Sequence, residues 1–393
     1  MQKKEMTGNT QAPPRGQRSI LTLLGAILIL SSAAGAMIRF NPLLPTIYLD
    51  SSWAYAMNEA VARGLIFGRD IVFTFGPYAS VYTAQFHPGT DALMLGGSSL
   101  LAAAFGFGAV ALLPKGRWPY ALLAPLFLAQ LAVPDSILAM PDSIFLAIPL
   151  LFLLLASQYL QIKRLRPLPS VALALLLLSC ALLPLIKGTF AGLSAIIVVL
   201  VFFLTFQRHK IVALLGLLTY FVAITGFWAA AGQPMIALPG FFIAQMPIVS
   251  GYTDAMAIPG NSVEIIVYII CAAFLLLSLY FKLARGRGKA GLAIMLGFAF
   301  TLFFAFKAGF VRHDNHALIS AGLLLLAAWF TAFVLPLKMG AVNLLLATLG
   351  WIFVAGHYID LSIKRDFERV GQLYAGIAKG GRQATLPSQG TRP

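Results

Sequence analysis

Residues 169–206 read PSVALALLLLSCALLPLIKGTFAGLSAIIVVLVFFLTF, and Lys187 is the one charged residue among them. On each side of that lysine the apolar run is close to the roughly 20 residues a helix needs to cross a hydrocarbon core. The stretch therefore reads as two membrane helices, 169–186 and 188–206, meeting at Lys187 and Gly188. Working outward, similar runs lie at 19–40, 92–113, 119–134, 143–161, 211–230, 263–281, 290–306, 317–336 and 341–358. The chain is 60% hydrophobic and 10% charged, whereas a soluble domain is roughly 45–50% apolar and about 25% charged. The expected fold class is an all-α polytopic membrane protein of about 11 transmembrane helices, with amphipathic surface helices in its first exported loop.

Charge gives the orientation. Lys and Arg concentrate in the N-terminal tail and in every second loop, including Lys163, Arg164 and Arg166 and the 282–289 loop. The alternate loops hold only Arg39, Arg63, Arg69, Lys187, Lys307 and Arg312 before the C-terminal tail. By the positive-inside rule the N-terminus is cytoplasmic and the alternate loops are exported. The implied organisation is a cytoplasmic tail (1–18), a transmembrane domain (19–358) with a first exported loop at 41–91, and an exported, partly disordered tail (359–393) ending GGRQATLPSQGTRP. Ala34-Gly35-Ala36 resembles a signal-peptidase site, but the preceding run is longer than a signal h-region, so the first helix reads as a retained anchor. The net charge of +15 comes in small groups between apolar runs. That pattern points to membrane lipids and not to nucleic acid as the partner. Cys180 and Cys271 fall inside apolar runs and read as small core residues.

Polar residues collect on the exported side: Asp50, Asp70, His87, Asp91, Asp135, Asp142, Lys187, Asp254, Glu264 and the segment from Lys307 to His316. After Asp50, the positions Trp53, Met57, Ala60, Val61 and Leu65 recur at helical spacing, with Asp50, Ser51 or Ser52 as cap and Gly64 as stop. Asp50 is then either a helix cap or a carboxylate at the junction of a membrane helix and a surface helix. Lys187 is either a snorkelling hairpin lysine or part of a site. In KAGFVRHDNHAL, from Lys307 to Leu318, Arg312 can hold a phosphate, or His313, Asp314 and His316 a divalent metal such as Mg or Mn. A solvated loop is the third reading of that segment. His87, before a Pro-Gly turn, is a weaker metal candidate and fits a structural role.

The order of these motifs resembles that of the GT-C superfamily, the polytopic glycosyltransferases that use a polyprenyl-phosphate sugar on the exported face of a membrane. Protein O-mannosyltransferases and the aminoarabinose transferases of lipid A are members. There an acidic residue after the first span opens a surface helix, followed by a Gly and a Gly-Pro or Pro-Pro turn. Here Asp50, Tyr55 and Gly64 are followed by Phe75-Gly76-Pro77-Tyr78. Asp142 is similar to a second acid opening the fourth span, Lys187-Gly188 to a Lys-Gly after the fifth, and Arg312 to a basic residue before a late span. Ser51 stands where many members have a second acid, and a large C-terminal soluble domain is lacking.

The resemblance implies an inverting glycosyltransferase of a cell envelope, placed in a bacterial inner (plasma) membrane with its active site on the exported face. It would move a hexosyl or pentosyl group from a polyprenyl-phosphate donor to a glycan, lipid or protein acceptor. Asp50 would be the base, Asp142 a second catalytic acid, and Lys187, Arg312 and Lys307 the phosphate-binding cations. Tyr55, Gly76, Pro77 and His87 would form the substrate loop. The competing class is a transporter or flippase of lipid-linked sugars, which places ionisable groups near the bilayer midplane and not at one face. A scaffold subunit of an envelope assembly machine is a third class.

Overall fold

A computed structural model describes residues 15–47, 49–114, 116–132, 141–159 and 166–379 of the chain. The 1–14 and 380–393 ends of the tails, together with Lys115, Asp135, Lys163 and Arg164, lie outside the described residues. Among those described there are fifteen α-helices and no strand, only isolated bridges. In chain order the helices are α1 (Arg15–Met37), α2 (Leu49–Ala62), α3 (Ala79–Thr83), α4 (Asp91–Leu112), α5 (Leu123–Ala132, entered through a 3-10 turn at Trp118–Leu122) and α6 (Asp142–Tyr159). There follow α7 (Pro167–Ile186), α8 (Gly188–Phe206), α9 (Lys210–Ala230), α10 (Leu238–Met256) and α11 (Ser262–Leu279). The last are α12 (Lys289–Phe310), α13 (Ala317–Val334), α14 (Leu337–Ala355) and α15 (Ile363–Ala378).

Ten of these helices among the described residues, α1, α4 and α7 to α14, are long and apolar enough to cross a membrane. The runs read at 119–134 and 143–161 form the shorter apolar helices Trp118–Ala132 and Asp142–Gln158. The protein is thus an all-α, polytopic, membrane-type fold. At its centre lie α6 and α13, both apolar around their whole circumference, which is the pattern of a helix enclosed by others. Residues 142–157 of α6 are all buried, as is nearly all of α13, and α4, α7, α8 and α12 surround α6. The Ser143 hydroxyl donates to Ile319 O, so α6 and α13 start at the same end of the bundle. At the other end the Arg117 guanidinium donates to the carbonyls of Ala332 and Leu335, closing the last turn of α13.

The helix α10 was not read from the sequence. α10 carries Pro239, Pro247, Gly251 and Gln245, and these dilute an apolar pattern that is otherwise continuous. Its two ends touch the same end of the bundle. Before it, Gln233 accepts from Phe67 N and donates to Leu65 O, each at 3.0 Å. After it, Ile258 N donates to Val311 O and His313 N to Ile258 O.

The C-terminal tail is also more ordered than its composition implies up to α15. That helix is amphipathic, with Leu373 and Arg369 buried against α1 and α5 while Ile363 and Phe367 are exposed. Tyr374 Oη lies 2.7 Å from Ser32 Oγ near the end of α1. The stretch described by the sequence as disordered, 380–393, lies outside the described residues.

Candidate functional site

The site is built on a helix break. α7 stops at Ile186, Lys187 takes an extended conformation (φ −150°, ψ 133°), and α8 starts at Gly188. A break leaves carbonyls and N–H groups without helical partners, and the loop between α2 and α3 supplies them. Gly76 N donates to Ile186 O and Tyr78 N to Leu185 O, both at 3.0 Å, while Gly188 N donates to Thr74 O at 2.8 Å. The Phe75-Gly76-Pro77-Tyr78 turn and the Lys187-Gly188 step, more than a hundred residues apart, are therefore one structural unit. A Cβ on Gly76 would stand 2.4 Å from Leu185 O, so only glycine permits this docking.

Inside that unit the Lys187 ammonium lies 2.7 Å from Asp142 Oδ1. The Tyr82 hydroxyl donates to Asp142 Oδ2 at 2.5 Å and lies 3.4 Å from Lys187 Nζ. Rings of Tyr82, Phe75 and Phe190 face the ammonium at 4.7, 5.4 and 5.9 Å, an arrangement that attracts a cation. The Asp142 side chain is 1% exposed and opens α6, where the helix dipole favours a carboxylate. Burial and the neighbouring Asp142 push the Tyr82 phenol well above its usual range, which keeps it a donor. Both Asp142 oxygens are thus engaged, Oδ1 by the Lys187 ammonium and Oδ2 by the Tyr82 hydroxyl. The residue read as a second catalytic acid is the one that holds the Lys187 ammonium in place.

Lys187 retains some access, with 17% of its side chain exposed. An ammonium has three N–H donors, and Asp142 and Tyr82 account for two. One remains for a ligand oxygen.

Asp50 stands at the rim. It lies exposed in the first turn of α2, where the Trp53 indole N–H donates to its Oδ1 at 3.0 Å. Trp53 stacks on Phe75 at 4.8 Å, and Phe75 meets Tyr82 edge-on at 4.9 Å. An aromatic column therefore connects Asp50 to the Lys187 pair below it. α2 ends as expected, with Gly64 in the left-handed region (φ +70°).

Tyr55 and His87 do not join this group. By helical spacing Tyr55 and Glu59 lie on a different face of α2 from Trp53. His87 is buried, accepts from Gly89 N at Nδ1, and so donates from Nε2 to Glu59 at 2.9 Å. Tyr55 packs edge-on against its ring. His87 fastens the loop to α2, away from the Lys187 pair.

The 307–316 segment also departs from its reading. The His313 ring turns to Glu264 on α11 (Nε2 to Oε2, 3.0 Å), and both side chains are buried. Glu264 further bonds His357 at 2.9 Å and the Tyr358 hydroxyl at 3.1 Å. Asp314 pairs with Arg312 Nε at 2.8 Å and with the His316 ring. The expected Mg or Mn ligand set of His313, Asp314 and His316 is thus divided between two clusters. Among the described residues no three His, Cys, Asp or Glu side chains converge on a metal position. Partial burial would raise the Asp314 carboxyl, but hydrogen bonds from the His316 backbone and ring and from Arg312 outweigh it and hold the group below its usual range.

The cations differ in availability. Arg312 engages Asp314 through Nε, and the structure gives its two Nη groups no hydrogen-bond partner among the described residues. The Lys307 side chain has no polar partner among them either. Lys187 and Arg312 each have a carboxylate partner, Asp142 and Asp314. Tyr252, on α10, lies within electrostatic reach of Asp142, Arg312 and Asp314. The sequence marked Glu264 only as one of the polar residues gathered on one side, and it held no signal for Tyr82, Gln245 or Tyr252, each an ordinary residue of its element until the fold brings it inward.

Comparison with family models, with curated proteins and with solved structures finds no match to this chain.

Proposed function

We propose that the protein is an integral membrane glycosyltransferase of the GT-C type that uses a polyprenyl-phosphate sugar donor. The observation that carries this reading is the union of the Gly76-Pro77 turn, the Lys187-Gly188 break and Asp142 into one unit whose rim is Asp50. Four stretches that the motif order places on one face of a membrane come together at one end of the bundle, beside an apolar scaffold able to accept a prenyl chain. In this topology eleven segments cross, α10 lies along the site face, the N-terminus is cytoplasmic and the site is exported. A bacterial plasma membrane is the setting.

The chemistry is a single displacement. Asp50 has one oxygen held by Trp53, and its other, without a hydrogen-bond partner among the described residues, takes the proton of the acceptor hydroxyl. The acceptor oxygen forms a bond to the anomeric carbon as the bond from that carbon to the phosphate oxygen breaks. The electron pair leaves on the polyprenyl phosphate, and the anomeric centre inverts. The remaining N–H of Lys187 and the Nη groups of Arg312 stabilise that leaving charge, with Lys307 adding a third cation. Asp142 and Tyr82 fix the ammonium in place. The residues of the 307–316 segment, with His313 on Glu264 and His316 on Asp314, do not fit a divalent metal.

The test is incubation of the purified protein with a panel of radiolabelled polyprenyl-phosphate sugars. Acceptor-dependent release of polyprenyl phosphate from one of them supports the reading; sugar carried across proteoliposomes with the donor intact overturns it in favour of a transporter.

A further inference from the structure

α10 turns Leu238, Phe241 and Gln245 toward the protein, all buried. Tyr252 falls on the same face two turns beyond Gln245. The other side of the helix exposes Ile243, Met246 and Val249, which places α10 at the level of membrane lipid with a polar pair facing inward. Gln245 is 6% exposed. Its Oε1 lies against Gly188, where a Cβ would be 1.9 Å away. Its Nε2 is buried and has no hydrogen-bond partner among the described residues.

A buried amide donor without an acceptor disfavours folding, and an apolar side chain in its place would avoid that cost. Such a donor beside Lys187 points to an acceptor brought by a ligand. The Tyr252 hydroxyl, near both Asp142 and Arg312, is likewise without a hydrogen bond among the described residues. Two neutral donors, one spare ammonium N–H and the Arg312 Nη groups together suit a group with several acceptor oxygens and no protons to give. That is a phosphate, and the lipid-facing side of α10 makes a lipid headgroup its source.

We propose that α10 roofs a phosphate subsite, in which the Gln245 amide and the Tyr252 hydroxyl donate to the phosphate oxygens of a lipid headgroup held by Lys187 and Arg312. This deepens the glycosyltransferase reading and rests on it.

The experiment measures binding of radiolabelled polyprenyl phosphate to the whole protein in nanodiscs, with polyprenol and inorganic phosphate as competitors. Gln245→Leu, Gln245→Glu and Tyr252→Phe are compared with the wild type, and each ligand-free protein is melted. Gln245→Leu is expected to weaken binding about tenfold or more, the loss of a hydrogen bond to a charged group. Its ligand-free melting temperature should stay level or rise, because an unmet buried donor has been removed. Gln245→Glu should weaken binding further by repulsion, and Tyr252→Phe should weaken it without affecting the melt. Competition by inorganic phosphate but not by polyprenol supports phosphate as the group held.

Wild-type affinity in Gln245→Leu and Tyr252→Phe, or a lower ligand-free melting temperature in Gln245→Leu, overturns the subsite and leaves the glycosyltransferase reading standing. A wild type that does not bind polyprenyl phosphate removes both.

Discussion

Removing one member of the Lys187–Asp142 pair should destabilise the protein far more than removing both. The pair is 2.7 Å apart, with side chains 17% and 1% exposed, so neither charge left alone would be well hydrated. Breaking a buried pair from one side costs about 3–5 kcal/mol, whereas exchanging both members for neutral residues of similar size is often near neutral. Lys187→Met leaves the Asp142 carboxylate with only the Tyr82 hydroxyl; Asp142→Asn leaves the ammonium with three aromatic faces and a weaker acceptor. Each single variant should lose about 3 kcal/mol or more, and the double variant should lose at least about 2 kcal/mol less than the sum of the two. Equilibrium unfolding in mixed detergent micelles, for the wild type and the three variants, closes the cycle. Strictly additive losses, or single variants as stable as the wild type, would refute the claim that this is a mutually dependent buried pair and would return Lys187 to a snorkelling role.

Other perturbations separate the remaining roles. Asp50→Asn should abolish transfer while changing stability by no more than about 0.5 kcal/mol, as expected at an exposed position; a protein that unfolds instead identifies a structural cap. Gly76→Ala should destabilise by about 1–3 kcal/mol, because its Cβ meets the Leu185 backbone oxygen. Gly188→Ala should cost less, since the atom it meets is the end of the movable Gln245 side chain, and paired melting curves decide the order. A cysteine at Arg63, on the surface of the first loop, should label from outside whole cells while one at Arg287 is spared; the reverse pattern inverts the topology. The Asp314 carboxyl is held below its usual range, so its pairing contributes fully above about pH 4 and fades as pH falls through the lowered value. Hydrogen exchange in the 311–316 loop should therefore rise below that pH in the wild type and lose the step in Asp314→Asn.

Sequence alone determined what depends on composition and period. A chain with apolar runs of this length can satisfy its backbone in a membrane only as helices, and each run drawn from the sequence corresponds to a helix. It also determined the local punctuation, such as the stop at Gly64 and the break at Lys187-Gly188, because these follow from backbone freedom and from a charge in an apolar run. Which helices lie at the centre was not legible, since α8, which is more apolar than either α6 or α13, is only partly buried. α10 was missed because its prolines and Gln245 read as a loop until the bundle gave them an inner face.

Tertiary structure decided the partners. Lys187 has no acid near it in the chain, yet Asp142 meets it across 45 positions. His313 sits one residue from Asp314, yet turns to Glu264, 49 positions away. In a medium that solvates charge poorly, an ionised side chain takes the nearest counter-charge in space, and nearness in space is set by how the helices pack.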